Sequence, residues 1–543
     1  MKPDSNYSIW LADSPPAEVL SQTLGDALTE GATLWPDREA VVYNCQPNII
    51  ETRWTYLELN NLADRLAANI LSQGFEPGDK IAIWGPNHPE WILLEYALAK
   101  AGLIIVALNP LYKRAELAYA LNASDVVAIF HADTVGDNQL IDIIHAVKDQ
   151  VPTLRGVYSF SSGVQELLAK EPALSHLASV APDDILMIQY TSGTTGKPKA
   201  AQLTHSAITT TAKNSYLRWG FTEDSRVCHG FPLFHVGGSG NSIPGAALNG
   251  ATTLPLYIFK SEQTLDILEQ EKCTGFIGVP TMITAMLESP SFAQRDFSAL
   301  KRIVLGGAQV PAYLIKRCEE NFGVEVLNCY GQTETCGVTT STVVSDNTKT
   351  KSESSGQPLS GVSVKITDAS GEIVAHNVAG ELCYKGPGRM LGYREKTDND
   401  NAFDGGDWFK SGDLAKMTSS GYISIVGRSK EMIIRGGENL SPAEIENYLL
   451  EHPDVIDAAV IGLADEKYGE EACAVLRTNN ENHASPAEIR AWCSERVSRW
   501  KVPKYIAFID NFPATHSGKV KKFLLKELMS KHFEINTNIE ENS

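Results

Sequence analysis

The ten residues Tyr190-Thr-Ser-Gly-Thr-Thr-Gly-Lys-Pro-Lys199 gather hydroxyls, glycines and two lysines at a density that suits phosphate chemistry. Glycines let a backbone approach a ligand closely and turn N–H groups inward as an anion nest. Thr191, Ser192, Thr194 and Thr195 add hydroxyl donors, while Lys197 and Lys199 add point charges. A plain surface turn would share this composition, but not its order. The spacing excludes a Walker A loop, which needs four residues between its glycines and Ser or Thr after the lysine. Here only Thr194 and Thr195 separate Gly193 from Gly196, and Pro198 follows Lys197. Gly237-Gly-Ser-Gly-Asn241 approaches a nucleophile elbow, yet Asn241 stands where the second outer glycine must be. No GxGxxG follows a strand pattern as dinucleotide binding requires. The cysteines stand singly, with no CxxC pair or His-rich partner cluster, so neither a zinc site nor a disulfide framework is expected.

Such a loop needs a rigid frame. Lys80–Trp84, Leu103–Leu108, Val126–Phe130 and Ile185–Tyr190 are short, continuously apolar or β-branched runs, which suit strands covered on both faces. Between them lie helical patterns, such as the capping box Thr55-Tyr-Leu-Glu58 followed by Leu59, Leu62, Ala63 and Leu66. This alternation predicts α/β architecture. Around residues 355–430 glycines and turn pairs multiply between short strands, which predicts antiparallel β structure. After Arg428 a small unit begins: a second capping box at Ser441-Pro-Ala-Glu444, strands at Ala458–Leu463, Ala472–Leu476 and Tyr505–Ile509, and a last helix from about Val520. At 543 residues, two or more domains are expected. The formal net charge of −19 disfavours nucleic acid and anionic lipid as partners. No apolar run approaches the ~18 residues of a membrane span, and the N-terminus carries no apolar signal core, so a cytoplasmic enzyme is expected.

The run Tyr190–Lys199 resembles the adenylate-forming superfamily of acyl-CoA synthetases, peptide-synthetase adenylation domains and firefly luciferase, and further motifs recur in the superfamily's order along nearly the whole chain. The resemblance implies a large N-terminal domain, 1–429, of α/β subdomains with a small β-barrel-like part, and a small mobile α+β domain, 430–543. It implies that Thr191, Ser192, Gly193, Thr194, Thr195, Gly196, Lys197 and Gly307 serve ATP. In Tyr330-Gly-Gln-Thr-Glu334 it implies Tyr330 beside the adenine, Gly331 nearby, Thr333 at the α-phosphate and Glu334 on Mg2+. Hard carboxylate oxygen suits that ion. In Asp407-Trp-Phe-Lys-Ser-Gly-Asp413, Asp413 would accept the ribose hydroxyls, with Ser411 where threonine is usual. Arg428 would contact ribose and phosphate, and Lys430 would be the hinge. In Pro513-Ala-Thr-His-Ser-Gly-Lys519, Lys519 would be catalytic, neutralising charge during in-line attack. Arg435, Gly436, Gly437 and Glu438 would line the thiol side of coenzyme A. Ala200-Ala201 departs from the usual Gly-Val.

His235, in Pro232-Leu-Phe-His235, would border the acyl pocket and join Thr191, Glu334 and Lys519 in catalysis. A satisfied core histidine is the equal alternative. By the same resemblance the pocket's walls come from residues 235–245, 305–310 and 329–338, with Gly238, Gly306, Ala308 and Gly331 among them. These segments are rich in small residues and hold no lysine or arginine, so a roomy pocket for an uncharged fatty or aryl tail is expected. The chain runs only from Val520 to Ser543 beyond Lys519, too short for a fused carrier domain, which favours CoA as acceptor. A stand-alone enzyme loading a separate carrier protein is the alternative. A luciferase-like monooxygenase is more distant, and a non-enzymatic binding protein would be expected to lack Lys519 or Glu334. The sequence leaves a homodimer open.

Overall fold

The computed structural model describes residues 6–12, 20–44, 46, 51–171, 177, 179–191, 198–308, 310–428, 431–435, 438–465, 468–478, 484–495, 501–514 and 520–540. The apolar runs form the parallel centre of a first sheet. Its order is Gly392–Tyr393, Lys199–Thr204, Ile185–Thr191, Ile104–Leu108, Lys80–Trp84, Val126–His131 and Gly156–Ser159. The last five strands run parallel, and Lys199–Thr204 turns back antiparallel on Ile185–Thr191, pairing Thr191 with Lys199. The two described ends of the Tyr190–Lys199 segment are thus neighbours on adjacent antiparallel strands. A second sheet centres on the parallel strands Thr252–Pro255, Arg226–His229, Gly275–Gly278, Arg302–Leu305 and Glu325–Tyr330. One continuous apolar core fills the space between the two sheets and their helices.

Local signals held where they were complete. Thr55 Oγ1 accepts from Glu58 N at 3.2 Å and the Glu58 carboxylate accepts from Thr55 N at 2.8 Å, so both halves of that capping box form and the helix Tyr56–Leu71 follows. At Ser441 only half forms. Its hydroxyl accepts from Glu444 N, but the Glu444 carboxylate goes to Lys501 Nζ at 2.6 and 2.7 Å instead. A charged ammonium outcompetes the neutral Ser441 N–H for the carboxylate.

The glycine-punctuated region is antiparallel as expected, in the order Ile9–Trp10, Ser363–Thr367, Gly380–Lys385, Phe409–Met417 and Ile423–Arg428. Among the described residues this path is an open sheet and not a closed barrel. The C-terminal unit has two core clusters of its own, drawn wholly from residues after Glu431. Its long hairpin Val455–Asp465 with Gly469–Thr478 is antiparallel, and Tyr505–Phe508 adds parallel after the helix Pro486–Ser494.

Candidate active site

Ligands of open α/β sheets bind beyond the carboxyl ends of the strands. Thr191, Leu305 and Tyr330 end strands there, and the described residues that follow Tyr330 gather the side chains considered next. Around Tyr330 the chain makes a tight return, Thr333–Thr335 forming one 3-10 turn closed by Cys336 at φ +54°. Thr333 and Glu334 are both buried in that turn.

Asp413 reaches the same place from the antiparallel sheet. Register puts it directly opposite Arg428, and the two form an ion pair with Arg428 Nε 3.1 Å from Asp413 Oδ1. Tyr330 OH donates to Asp413 Oδ2 at 2.6 Å, and Gln332 Nε2 donates to the same oxygen at 2.5 Å. Asp413 is 4% exposed. Burial and the adjacent Asp413 carboxylate push the Tyr330 phenol well above its ordinary pKa, so it stays a donor. Burial pulls the Arg428 guanidinium down, and the charges of Asp413, Glu431, Tyr330 and Glu334 more than restore it. Ser411 keeps the function of the usual threonine hydroxyl: it donates to Leu382 O at 2.7 Å and accepts from Asp413 N at 3.0 Å. The result is a carboxylate aimed and charged in advance, able to accept from vicinal hydroxyls at little reorganisation cost.

Glu334 has a different setting. Its Oε1 accepts from Tyr393 OH at 2.7 Å, and its backbone carbonyl accepts from Met390 N at 2.8 Å. Among the described residues no group of three or more His, Cys, Asp or Glu gathers as a metal cage. A single hard carboxylate fits Mg2+ that takes its remaining ligands from phosphates and water. Gln332 and Tyr393 are the participants that sequence reading missed. Gln332 is the variable position of its motif, and Tyr393 had no signal beyond following Gly392.

The segments expected to wall the acyl pocket do converge, but their glycines do not make space. A Cβ on Gly306 would lie 2.7 Å from Cys329 Sγ, and on Gly238 2.4 Å from Pro232 O. On Gly331 it would lie 1.5 Å from Gly337 O. These positions are small because the chain itself closes on them, so small residues were a poor measure of roominess. Gly307, at φ +76°, and Ala308 are exposed. His235 is half-buried, and its Nδ1 accepts from Gly237 N at 3.3 Å, capping the single π-helical turn Val236–Ser242. It therefore serves the local turn.

Arg435 is held within the C-terminal unit. It grips Glu471 through two bonds, 2.7 and 2.9 Å, with Tyr468's ring 4.3 Å from the guanidinium. Ser192, Gly193, Thr194, Thr195, Gly196, Lys197, Lys430, Gly436, Gly437, Lys519 and the Glu438 side chain lie outside the described residues. A cavity of about 650 Å3 flanks the hairpin stem, lined by Tyr119, Tyr190, Gln202 and Arg394 among others. None of Asp413, Glu334 or Tyr330 lines it, so it is not the site assembled above.

A family model described as AMP-binding enzyme matches residues 28–394, and one described as AMP-binding enzyme C-terminal domain matches residues 444–519. The chain is similar to the putative acyl-CoA synthetase YngI of Bacillus subtilis, 34% identical over 96% of this chain and 100% of that one. It is similar to the mitochondrial medium-chain acyl-CoA ligase ACSF2 of Bos taurus, 34% identical over 95% of this chain and 89% of that one. Among solved structures it resembles the anthranilate CoA ligase AuaEII in complex with anthranoyl-AMP, with a TM-score of 0.86 and 25% identity over 94% of this chain and 97% of that one. A fatty acyl CoA synthetase of Mycobacterium tuberculosis gives a TM-score of 0.75 and 30% identity over 94% of this chain and 99% of that one. The chain belongs to the AMP-binding enzyme family, as an acyl-CoA synthetase that uses ATP to join a carboxylic acid to CoA.

Proposed function

We propose that the acid is a monocarboxylate with an uncharged fatty or aryl tail. The observation that carries this reading is the absence of lysine and arginine from residues 235–245, 305–310 and 329–338, the segments that converge beside Tyr330. A second substrate carboxylate buried there would lack a counter-charge, and an unpaired buried charge is expensive. The relatives named for medium-chain acids and anthranilate agree with it. Release of AMP across a panel of acids, with and without CoA, tests it. Medium-chain and aryl acids are expected to lead. Turnover of malonate or o-succinylbenzoate above every monocarboxylate would overturn the assignment.

The roles follow from the chemistry. The substrate carboxylate oxygen bonds the α-phosphorus of ATP as the bond to the pyrophosphate leaving group breaks. The thiol of CoA then displaces AMP from the acyl carbon. Asp413 holds the ribose, Arg428 backs it, and Thr333 reaches toward the α-phosphate. Glu334 would hold Mg2+, which when bound supplies charge neutralisation along the triphosphate. Lys519 neutralises charge during adenylation and is withdrawn when residues 430–543 turn about Lys430, with 436–438 then beside the thiol. Lys519→Ala is expected to abolish adenylation, read as pyrophosphate release, yet retain thioester formation from supplied acyl-adenylate. Equal loss in both halves would count against the turn.

A further inference from the structure

Gly392–Tyr393 is a two-residue strand at the edge of the first sheet, and it is fixed on every side. Tyr393 pairs with Ala201, Leu391 N donates to Gln202 O at 2.9 Å, and Arg394 N donates to Ala200 O at 2.9 Å. The Asn399 side chain clamps the Tyr393 peptide, accepting from its N and donating to its O, each at 2.8 Å. From this anchored backbone the phenol reaches across to Glu334 Oε1 at 2.7 Å. Its ring lies under the Lys199 ammonium, 4.8 Å from Nζ to centroid, and Lys199 is itself held by Asp398 at 3.0 Å. Lys199 begins the strand that leaves the triphosphate hairpin.

We propose that Tyr393 is a positioning residue that fixes Glu334 for the metal and ties it mechanically to the strand leaving the triphosphate loop. The inference rests on the reading of Glu334 as the metal carboxylate. Tyr393 and Glu334 are each 9% exposed, so water competes little for the bond between them. The phenol engages Oε1 alone. Among the described residues Oε2 accepts no hydrogen bond, so the carboxylate is oriented without being saturated. Partners of metal-binding carboxylates typically contribute 10–100-fold to metal affinity when they are of this kind.

The test is Tyr393→Phe in the full chain, with Glu334→Gln beside it. Two readouts are needed: Mn2+ binding in the presence of ATP without acid or CoA, by water-proton relaxation enhancement, and the apparent Mg2+ constant for pyrophosphate release at saturating ATP. Tyr393→Phe is expected to raise both constants about tenfold. The thermal midpoint should stay within about 2 °C and, at saturating Mg2+, the KM for ATP within twofold, a split that a general packing defect would not give. Glu334→Gln should raise both metal constants further. If Glu334→Gln leaves both unchanged, the metal reading of Glu334 is wrong and the inference falls with it. If Glu334→Gln weakens both but Tyr393→Phe matches wild type within twofold, the metal reading stands and the positioning role is overturned.

Discussion

Asp413 and Glu95 are both carboxylates shut away from water, 4% and 0% exposed, and they live in opposite circumstances. Asp413 accepts from a phenol and an amide of one segment, Tyr330 and Gln332, and pairs with the guanidinium of Arg428 from a second. Glu95, midway along the helix Pro89–Lys100, has no hydrogen-bond partner for either oxygen. The same helix ends on Lys100, whose ammonium reaches Asp64, Asn60 and Thr29 at 2.7, 2.8 and 2.8 Å, so this core does satisfy its other buried charge. Burial alone therefore does not mark a functional carboxylate. Convergent partners do, because they aim the group and satisfy its oxygens. The comparison is broken most directly at Asp413. Asp413→Asn leaves Arg428 without its counter-charge; of the two acceptor oxygens proposed for the ribose it turns one into an amide donor and the other into a neutral acceptor, losing or weakening bonds of about 1.5–3 kcal/mol each. The kcat/KM for ATP in pyrophosphate release should fall by about 10^3. A loss under tenfold would mean the carboxylate is only structural, like Glu95.

The three partners are not equal, and that sharpens the contrast. Tyr330 and Gln332 share Oδ2, whereas Arg428 takes Oδ1. Tyr330→Phe and Gln332→Ala should each raise the KM for ATP about tenfold, one charge-assisted bond apiece. The double variant should fall short of a hundredfold, since two donors on one oxygen are coupled by ~0.5 kcal/mol or more. Strict additivity in this cycle would show that the pair act on different parts of the nucleotide.

What was legible in the sequence was local. Continuous apolar runs gave Lys80–Trp84, Ile104–Leu108 and Val126–His131, because a strand covered on both faces leaves its mark within five or six residues. Thr55 and Glu58 carry a complete instruction four residues long, and the helix obeyed it. The carboxylates Asp413 and Glu334 were found only through resemblance to known motifs, since their donors lie 83 and 59 residues away. Tyr393 left no signal for the same reason. The glycines at 238, 306 and 331 misled for another: composition records that a Cβ is missing, not whether a backbone oxygen or a sulfur already occupies its space.

The smallest effect on turnover, and the cleanest separation of the two carboxylates, comes from Glu95→Gln. Burial holds the Glu95 pKa well above the usual carboxylate range. Over the interval between the unfolded value, about 4.3, and the raised folded value, the native state binds a proton that the unfolded state has lost. Stability contributed by this group is therefore complete below about pH 4.3 and declines as pH rises toward the folded pKa, with a slope of at most about 1.4 kcal/mol per pH unit. Glutamine cannot titrate, so that decline disappears. The thermal midpoint of Glu95→Gln, compared with wild type between pH 5 and pH 8, should gain on wild type steadily as pH rises, while kcat/KM for ATP stays within twofold. Asp413→Asn should show the reverse pairing, a large loss of activity with no such gain at high pH. A midpoint difference for Glu95→Gln that is flat across this range would mean that Glu95 is ionised in the fold and finds its partner in water.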